Sequence, residues 1–380
     1  MKALSVVWKI PDDRLKGFSN DTNGLIVVRD LCEHLGKTIE SYLLLGKEYL
    51  PQMDLGHIHI VNSEKIAEQF ADKSHLEIMK AVFENALDDI RPDIVHIHDC
   101  GDFCRICMKI CIKRQIPYIF TAHSFIGKNQ KISKVWIRDI FWQKEVYTIP
   151  NINIIAVGKG IASKIVKEYP NIKPKQLRVI QNGTDFKIEE KNIILKKQLG
   201  LDGRKILICA GKISNGKNQM QIVKAVQLLP QSIIEKICIL FCGNDRLNGK
   251  LQKAIKDAKL ENALKYIGVL NNFQMKKYYA ISDGYIMSSI SEGLSIAALE
   301  AIACGLPLIM FSDLECAMDL NNENVVCFAK ERTDEALADA IEKWANKDWD
   351  KLTILKYAEY FSMERVANDY IDCYSRILNI

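Results

Sequence analysis

No stretch of the 380-residue chain approaches the roughly 18 consecutive apolar residues that a membrane-spanning helix needs. Nothing in it therefore reads as a transmembrane segment. The opening MKALSVVWKIPDDRLKG has an apolar run too short for a secretory signal, and no small-residue cleavage site follows it. There is no internal repeat and no low-complexity tract, which argues against solenoids and disordered tails. A strong charge bias is also missing. The net charge of +5 is mild, so the chain lacks the footprint of a nucleic-acid binder. That charge suits an anionic small molecule or an acidic membrane surface. The twelve cysteines come without a secretion signal. They read as reduced thiols, and the expected location is the cytoplasm.

What is present is a globular chain, 48% apolar and 26% charged. It is too long for one ordinary core, so two domains are expected. Short β-branched runs alternate with amphipathic stretches from end to end. In the first half the strand candidates are ALSVVW, SYLLL, HIHIV, DIVHIH, IPYIFTA, NIIAV and LRVIQ. In the second half they are KILICAG, KICILFCG, ALKYIG, GYIMSS, LPLIMF and VVCFA. Helical patterns fill the gaps, for example 24–35, 63–87, 103–114, 219–229 and 250–259. This alternation predicts two parallel sheets covered on both faces. The lysine-rich segment 186–204 reads as the link between them. In such folds ligands sit beyond the carboxyl ends of the strands, so functional residues are sought just after strands.

The motifs fall there. After KILICAG comes Lys212, then Asn215-Gly216-Lys217-Asn218-Gln219. After GYIMSS comes Ser291-Glu292-Gly293 and a helical run from Leu294 to Ala303 that contains Glu300. A Cys304-Gly305-Leu306-Pro307 turn follows. Upstream lie Asn182-Gly183-Thr184-Asp185, the strand end His96-Ile97-His98-Asp99, and Thr121-Ala122-His123. In this order the set resembles the large fourth family of glycosyltransferases. Those are retaining enzymes of the GT-B fold, α/β proteins with two facing Rossmann-like domains and a cleft between their parallel sheets.

The resemblance implies an acceptor-side domain over 1–185, with a C-terminal helix over 362–380 packing back on it. It implies a nucleotide-sugar domain over 186–361. It implies that Glu292 lies at the donor sugar and that Glu300 holds the ribose hydroxyls. The turn 268–270, with Val269 at its centre, would take the base through its backbone. Gly293 and the amides of Leu294, Ser295 and Ile296 would open a helix whose positive end suits a diphosphate. Lys212, Lys217 and Asn218 would complete the phosphate site, and Gly24 would belong to the loop after the first strand. Where the family usually has arginine this chain has Lys212, a point charge rather than a planar fork. His123 would hydrogen-bond the sugar near the reacting centre. With Glu292, His123 and Lys217 named as catalytic, the expected reaction moves a sugar from a nucleoside-diphosphate sugar, UDP by preference, to an acceptor hydroxyl with retention. The acceptor would be a glycan, a lipid-linked molecule or a small natural product. A sugar-nucleotide epimerase and a non-catalytic sugar-nucleotide-binding subunit are the competing readings.

No metal is expected. Cations and N–H groups would stabilise the leaving diphosphate, and the one Asp-x-Asp, Asp348-Trp349-Asp350, sits in a charged segment far from the motifs. His96 and His98 share a strand face and, with Asp99, superficially suggest a metal site. Cys100, Cys104, Cys107 and Cys111 have a spacing near that of an iron–sulfur motif. The same spacing is one stripe of a helix, and a buried apolar stripe is the expectation. The basic, aromatic stretch 128–144 reads as a helix covering the first sheet, with peripheral contact to the inner face of a membrane as the alternative.

Overall fold

A computed structural model of the chain describes residues 1–8, 26–47, 49–98, 101–125, 134–188 and 193–380. The chain divides into two compact units, 1–183 with 363–380, and 184–362.

The first unit holds the strands β1 Lys2–Val7, β2 Glu40–Leu45, β3 Met53–Leu55, β4 Ile58–Ile60, β5 Ile94–His98, β6 Tyr118–Ala122, β7 Ile154–Ala156 and β8 Leu177–Val179. They form one sheet in the order β3-β4-β2-β1-β5-β6-β7-β8. All pairings are parallel except β3 with β4. That exception departs from the all-parallel expectation and has a local cause. Only Gly56 and His57 separate the two strands, and two residues suffice for a hairpin but not for a parallel crossover. Gly56 has φ of +64°, and a side chain there would meet the Glu33 carboxylate at 2.6 Å. Glu33 also accepts the amide of His57 at 3.1 Å, which ties the hairpin to the helix Ile26–Leu35.

All five residues of β5 are buried, as expected of a central strand covered on both faces. The helix Asp102–Arg114 covers it. Phe103, Cys104, Cys107, Met108, Ile110 and Cys111 are its core face. The cysteine stripe is therefore hydrophobic packing, and burial pushes the Cys111 thiol up to about 12. Cys100 and Asp99 lie outside the described residues. The last helix, Met363–Leu378, belongs to this unit and packs along Ile26–Leu35.

The second unit holds β9 Lys205–Ala210, β10 Ile237–Cys242, β11 Leu264–Gly268, β12 Gly284–Ile286, β13 Leu308–Phe311 and β14 Val326–Ala329. The sheet is wholly parallel, in the order β11-β10-β9-β12-β13-β14. From β9 the chain steps outward through β10 to β11, then returns to the other side of β9 with β12. The order reverses between β9 and β12, which is where a doubly wound sheet opens a crevice for ligands. Gly284 lets β12 sit against Trp344, since a Cβ there would lie 2.5 Å from the indole nitrogen.

Candidate functional site

The turns after β9 and β12 carry most of the motif residues, and the structure brings these two turns together. The turn after β9 starts at Gly211, whose amide donates to Cys242 O at 2.8 Å. Gly243, with φ of +150°, leaves room for it: a Cβ on Gly243 would lie 2.0 Å from Gly211 O. Gln219 is buried and staples the loop from inside. Its side-chain amide donates to Lys212 O at 2.9 Å and accepts from Ser214 N at 3.2 Å. Asn218 takes a left-handed conformation at φ 53° and caps the helix Gln219–Gln227. Its side chain donates to Gln221 at 2.7 Å.

The β12 side locks onto this loop. The Ser288 hydroxyl donates to the carbonyls of Lys217 and Asn218 at 3.0 and 2.9 Å. The amide of Ile290 donates to Gly216 O at 2.8 Å. Across the joined turns, Lys217 Nζ reaches Glu292 Oε2 at 2.5 Å. The lysine side chain is 35% exposed and the glutamate 16%. The pair is thus partly desolvated, and both groups remain open to a ligand.

Two residues that sequence reasoning missed hold Glu292 and the turn before it in place. Glu315 is buried, accepts the Ser291 hydroxyl at 2.7 Å and accepts the Glu292 amide at 2.9 Å. The Cys316 amide in turn donates to Glu292 O at 3.3 Å. Arg332 donates to Ser289 O at 2.9 Å and Ile290 O at 3.0 Å, and pairs with Asp313 at 2.6 Å. Its charge also lies over the Phe311 ring, 5.0 Å from the centroid. Neither residue has a local sequence signal, because their partners between Ser289 and Glu292 lie more than twenty residues away in the chain.

The helix expected from Leu294 begins at Ile296 instead and runs to Ala303. Ser295 is its N-cap, with extended backbone, and both Leu294 and Ser295 are buried in the approach to it. The helix opening is two residues shorter than the sequence suggested because the backbone is still extended at Ser295 and turns helical only after it. Gly293 lies in the bend between Glu292 and that approach. Glu300 is one turn into the helix. It accepts the Tyr279 hydroxyl at 3.2 Å, and Tyr279 also donates to Ala297 O at 3.1 Å. Tyr279 is fully buried, and burial with the nearby Glu300 charge pushes its phenol well up, so it stays a neutral donor. Val269 stands exposed at the end of β11, after Gly268 with φ of +92°. The Gly268 carbonyl is taken by the Gly243 amide at 2.7 Å, so the backbone here is already partly engaged.

In the first unit, His123 follows β6 and is part-exposed. Its Nε2 lies 3.0 Å from Nδ1 of His98 at the end of β5. His98 packs against His96, with ring centroids 3.8 Å apart and the planes tilted by 36°. His96 bonds Tyr374 at 2.6 Å and Thr121 at 2.7 Å. Burial holds all three imidazoles below their usual range, His123 down to about 4. They are neutral rings near pH 7. Gly24 lies outside the described residues.

Among the described residues no cluster of three or more histidine, cysteine or acidic groups is arranged to hold a metal ion. Asp350 of the Asp-x-Asp caps the helix Lys351–Ala358, accepting from Leu352 N at 3.0 Å. In the helix Lys134–Tyr147, Arg138 lies over Trp142 at 4.3 Å and Phe141 is 63% exposed. Residues 128–133 of that stretch lie outside the described residues. No described helix is long and apolar enough to cross a membrane.

The family model Glycosyl transferases group 1 matches residues 191–360, and Glycosyltransferase Family 4 matches residues 26–187. An uncharacterized glycosyltransferase of Methanocaldococcus jannaschii is 24% identical over 230 residues, which is 58% of this chain and 57% of that protein. The chain thus spans a little over half the length of that relative. Among solved structures, sucrose-phosphate synthase from Thermosynechococcus elongatus superposes with a TM-score of 0.79 at 18% identity, covering 100% of both chains. Anabaena HepE in complex with UDP and glucose superposes with a TM-score of 0.73 at 15% identity, covering 99% of this chain and 100% of that one. At such identities the superpositions speak for the fold.

Proposed function

Since the chain belongs to the GT-B glycosyltransferases of the family-four type, we propose that it moves a sugar from a nucleoside-diphosphate sugar to an acceptor hydroxyl, with retention of anomeric configuration. Uridine diphosphate is the donor nucleotide in this reading, by analogy with the complexes of the superposed HepE. The observation that carries the proposal is the joining of two turns where the strand order reverses between β9 and β12, which sets Lys217 against Glu292.

Breaking a glycosidic bond to a diphosphate leaves growing negative charge on that group. Preorganised cations and N–H groups stabilise such charge best where water is partly excluded. Lys217 and Lys212 bring ammonium groups to the turn after β9, and the N–H groups opening the helix Ile296–Ala303 add the positive end of a dipole. These elements suffice in kind, and the proposal requires no metal. Glu292 positions the sugar, and Lys217 restrains it through their ion pair. Glu300 accepts the ribose hydroxyls, as a carboxylate with two oxygens does well. Tyr279 fixes the orientation of that carboxylate. His123 donates or accepts a hydrogen bond at the sugar. Glycan, lipid-linked and small-molecule acceptors all fit this scheme, with synthesis of a polysaccharide or other glycoconjugate as the role.

The test is product analysis. The protein is incubated with UDP-sugars and a panel of acceptors in the presence of chelator. Free UDP should appear together with a glycosylated acceptor whose new linkage keeps the donor's configuration. An epimerised sugar without acceptor consumption would support the competing reading. An inverted linkage would contradict retention.

A further inference from the structure

The histidines of the first unit form a chain of which the proposed chemistry uses only one end, His123. Four groups line up in it: Tyr374, His96, His98 and His123. Tyr374 is on the last helix, His96 and His98 are on β5, and His123 follows β6. His96 has both ring nitrogens occupied, by Tyr374 at 2.6 Å and Thr121 at 2.7 Å. His98 is different. It is fully buried, its Nδ1 meets His123 Nε2 at 3.0 Å, and its Nε2 is a buried atom with no partner.

Two neutral imidazoles can share one N···N contact in only two ways. In the first, His123 donates from Nε2. The proton of His98 must then sit on its own Nε2, an N–H buried with nothing to receive it. In the second, His98 donates from Nδ1. Its Nε2 is then a bare ring nitrogen, and His123 carries its proton on Nδ1. Orphaned buried N–H groups are the rarer defect in folded proteins. An unmade donor forfeits its hydrogen bond and keeps its full desolvation cost. The tautomer of a histidine is set by the bond its other nitrogen makes.

We propose that His98 is a positioning residue: its Nδ1–H donates to Nε2 of His123, so that His123 is held as the neutral Nδ1–H tautomer and offers its substrate a hydrogen-bond donor at Nδ1. The His96 ring, packed against His98 and fixed at both nitrogens, keeps His98 from turning. The Cys104 thiol donates to the His98 carbonyl at 2.9 Å and holds the end of β5 from the other side. No described residue bonds Nδ1 of His123, so that nitrogen is the one left for a ligand. The last helix thus reaches the sugar-contacting histidine through Tyr374, His96 and His98. This inference rests on the proposed role of His123 as the group that meets the sugar.

The experiment reads the tautomer without any substrate. Protein labelled with nitrogen-15 histidine is compared as wild type, His98→Leu and His98→Asn, with the His123 signals assigned by their loss in His123→Gln. Long-range nitrogen–proton correlations distinguish a protonated Nδ1 from a protonated Nε2. Wild type should show His123 protonated at Nδ1 at pH 7. His98→Leu should average the two tautomers. His98→Asn places an amide N–H near the former Nδ1 and should restore the wild-type pattern. In transfer assays kcat should fall on the order of tenfold in His98→Leu, the worth of one hydrogen bond, and recover in His98→Asn with the donor KM unchanged. A wild-type His123 protonated at Nε2, or a tautomer and kcat indifferent to His98→Leu, overturns the inference. If no donor is turned over at all, the proposed function fails, while the spectra still decide how His98 and His123 are arranged.

Discussion

Alanine at position 243 is the sharpest perturbation of the donor turns. An added Cβ on Gly243 would lie 2.0 Å from Gly211 O, 2.6 Å from its carbonyl carbon and 3.2 Å from Lys212 N. These are backbone atoms, so no side-chain rotation relieves the contact. The Gly211 amide is bonded to Cys242 O and the Gly243 amide to Gly268 O, so neither turn can retreat without losing a hydrogen bond. Gly243 also has φ of +150°, where an L side chain is strained. Backbone strain costs about 1–3 kcal/mol, and overpacking of a tight site another ~1–3 kcal/mol. Together they destabilise the second unit by about 2–6 kcal/mol. The displaced segment is the turn that carries Lys217, so nucleotide affinity should fall with it. Gly216 is the control in the same loop. A Cβ there meets nothing within 4 Å, and Gly216→Ala should change stability by less than about 1 kcal/mol in either direction. Urea unfolding of both variants measures the difference, and titration with UDP measures the loss of binding. Equal stability of the two variants, or full UDP affinity in Gly243→Ala, would show that this close approach does not shape the turn.

Other consequences follow from single contacts. Lys217→Ala should lower kcat by about two to three powers of ten, as loss of one charge-stabilising donor does, whereas Glu300→Gln should mainly raise the donor KM; identical kinetic defects in the two would refute this division of roles. Glu315→Ala leaves the Glu292 amide and the Ser291 hydroxyl without their buried acceptor, so it should cost about 1–3 kcal/mol of stability and lower kcat, while a variant with normal kcat would show that Glu315 does not position Glu292. Burial lowers the folded-state values of His96, His98 and His123 below the usual 6.5. Their unfolded forms therefore bind protons that the folded forms refuse. For His123 the stability so protected is complete above about 6.5 and is lost as pH falls toward about 4, and His96 and His98 add losses in the same direction. Unfolding free energies between those limits should decline with acid and decline less steeply in His123→Gln. An equal slope in both proteins would count against a neutral His123 partly withdrawn from water.

The parts of the molecule that sequence made legible are those fixed locally. KILICA and ICILFC are continuous apolar runs because β9 and β10 are buried on both faces. The runs GYI and LIMF, with the glutamates that follow GYI, could be read in the same way. The strand Met53–Leu55 could not. It has three residues, one of them charged, and its antiparallel pairing is decided by a two-residue turn and a carboxylate on a distant helix. The helix start at Ile296 is not legible either, because Leu294 continues the apolar pattern of the helix while Ser295, in extended backbone, is its N-cap without a side-chain capping bond. Glu315 belongs to no motif in the sequence, and only the fold shows it buried and accepting the Glu292 amide. The bond between His96 and Tyr374 joins residues 278 apart, beyond anything that spacing could suggest.

The measurement that bears most directly on the donor site is calorimetric titration with UDP in the presence of chelator. Wild type should bind one UDP per chain without added metal. Lys217→Ala and Glu300→Gln should each weaken that binding, since one removes charge at the phosphates and the other the carboxylate at the ribose, and Gly216→Ala should not. Failure of the wild type to bind any nucleoside diphosphate, or binding indifferent to both Lys217→Ala and Glu300→Gln, would contradict a nucleotide-sugar site at the turns after β9 and β12.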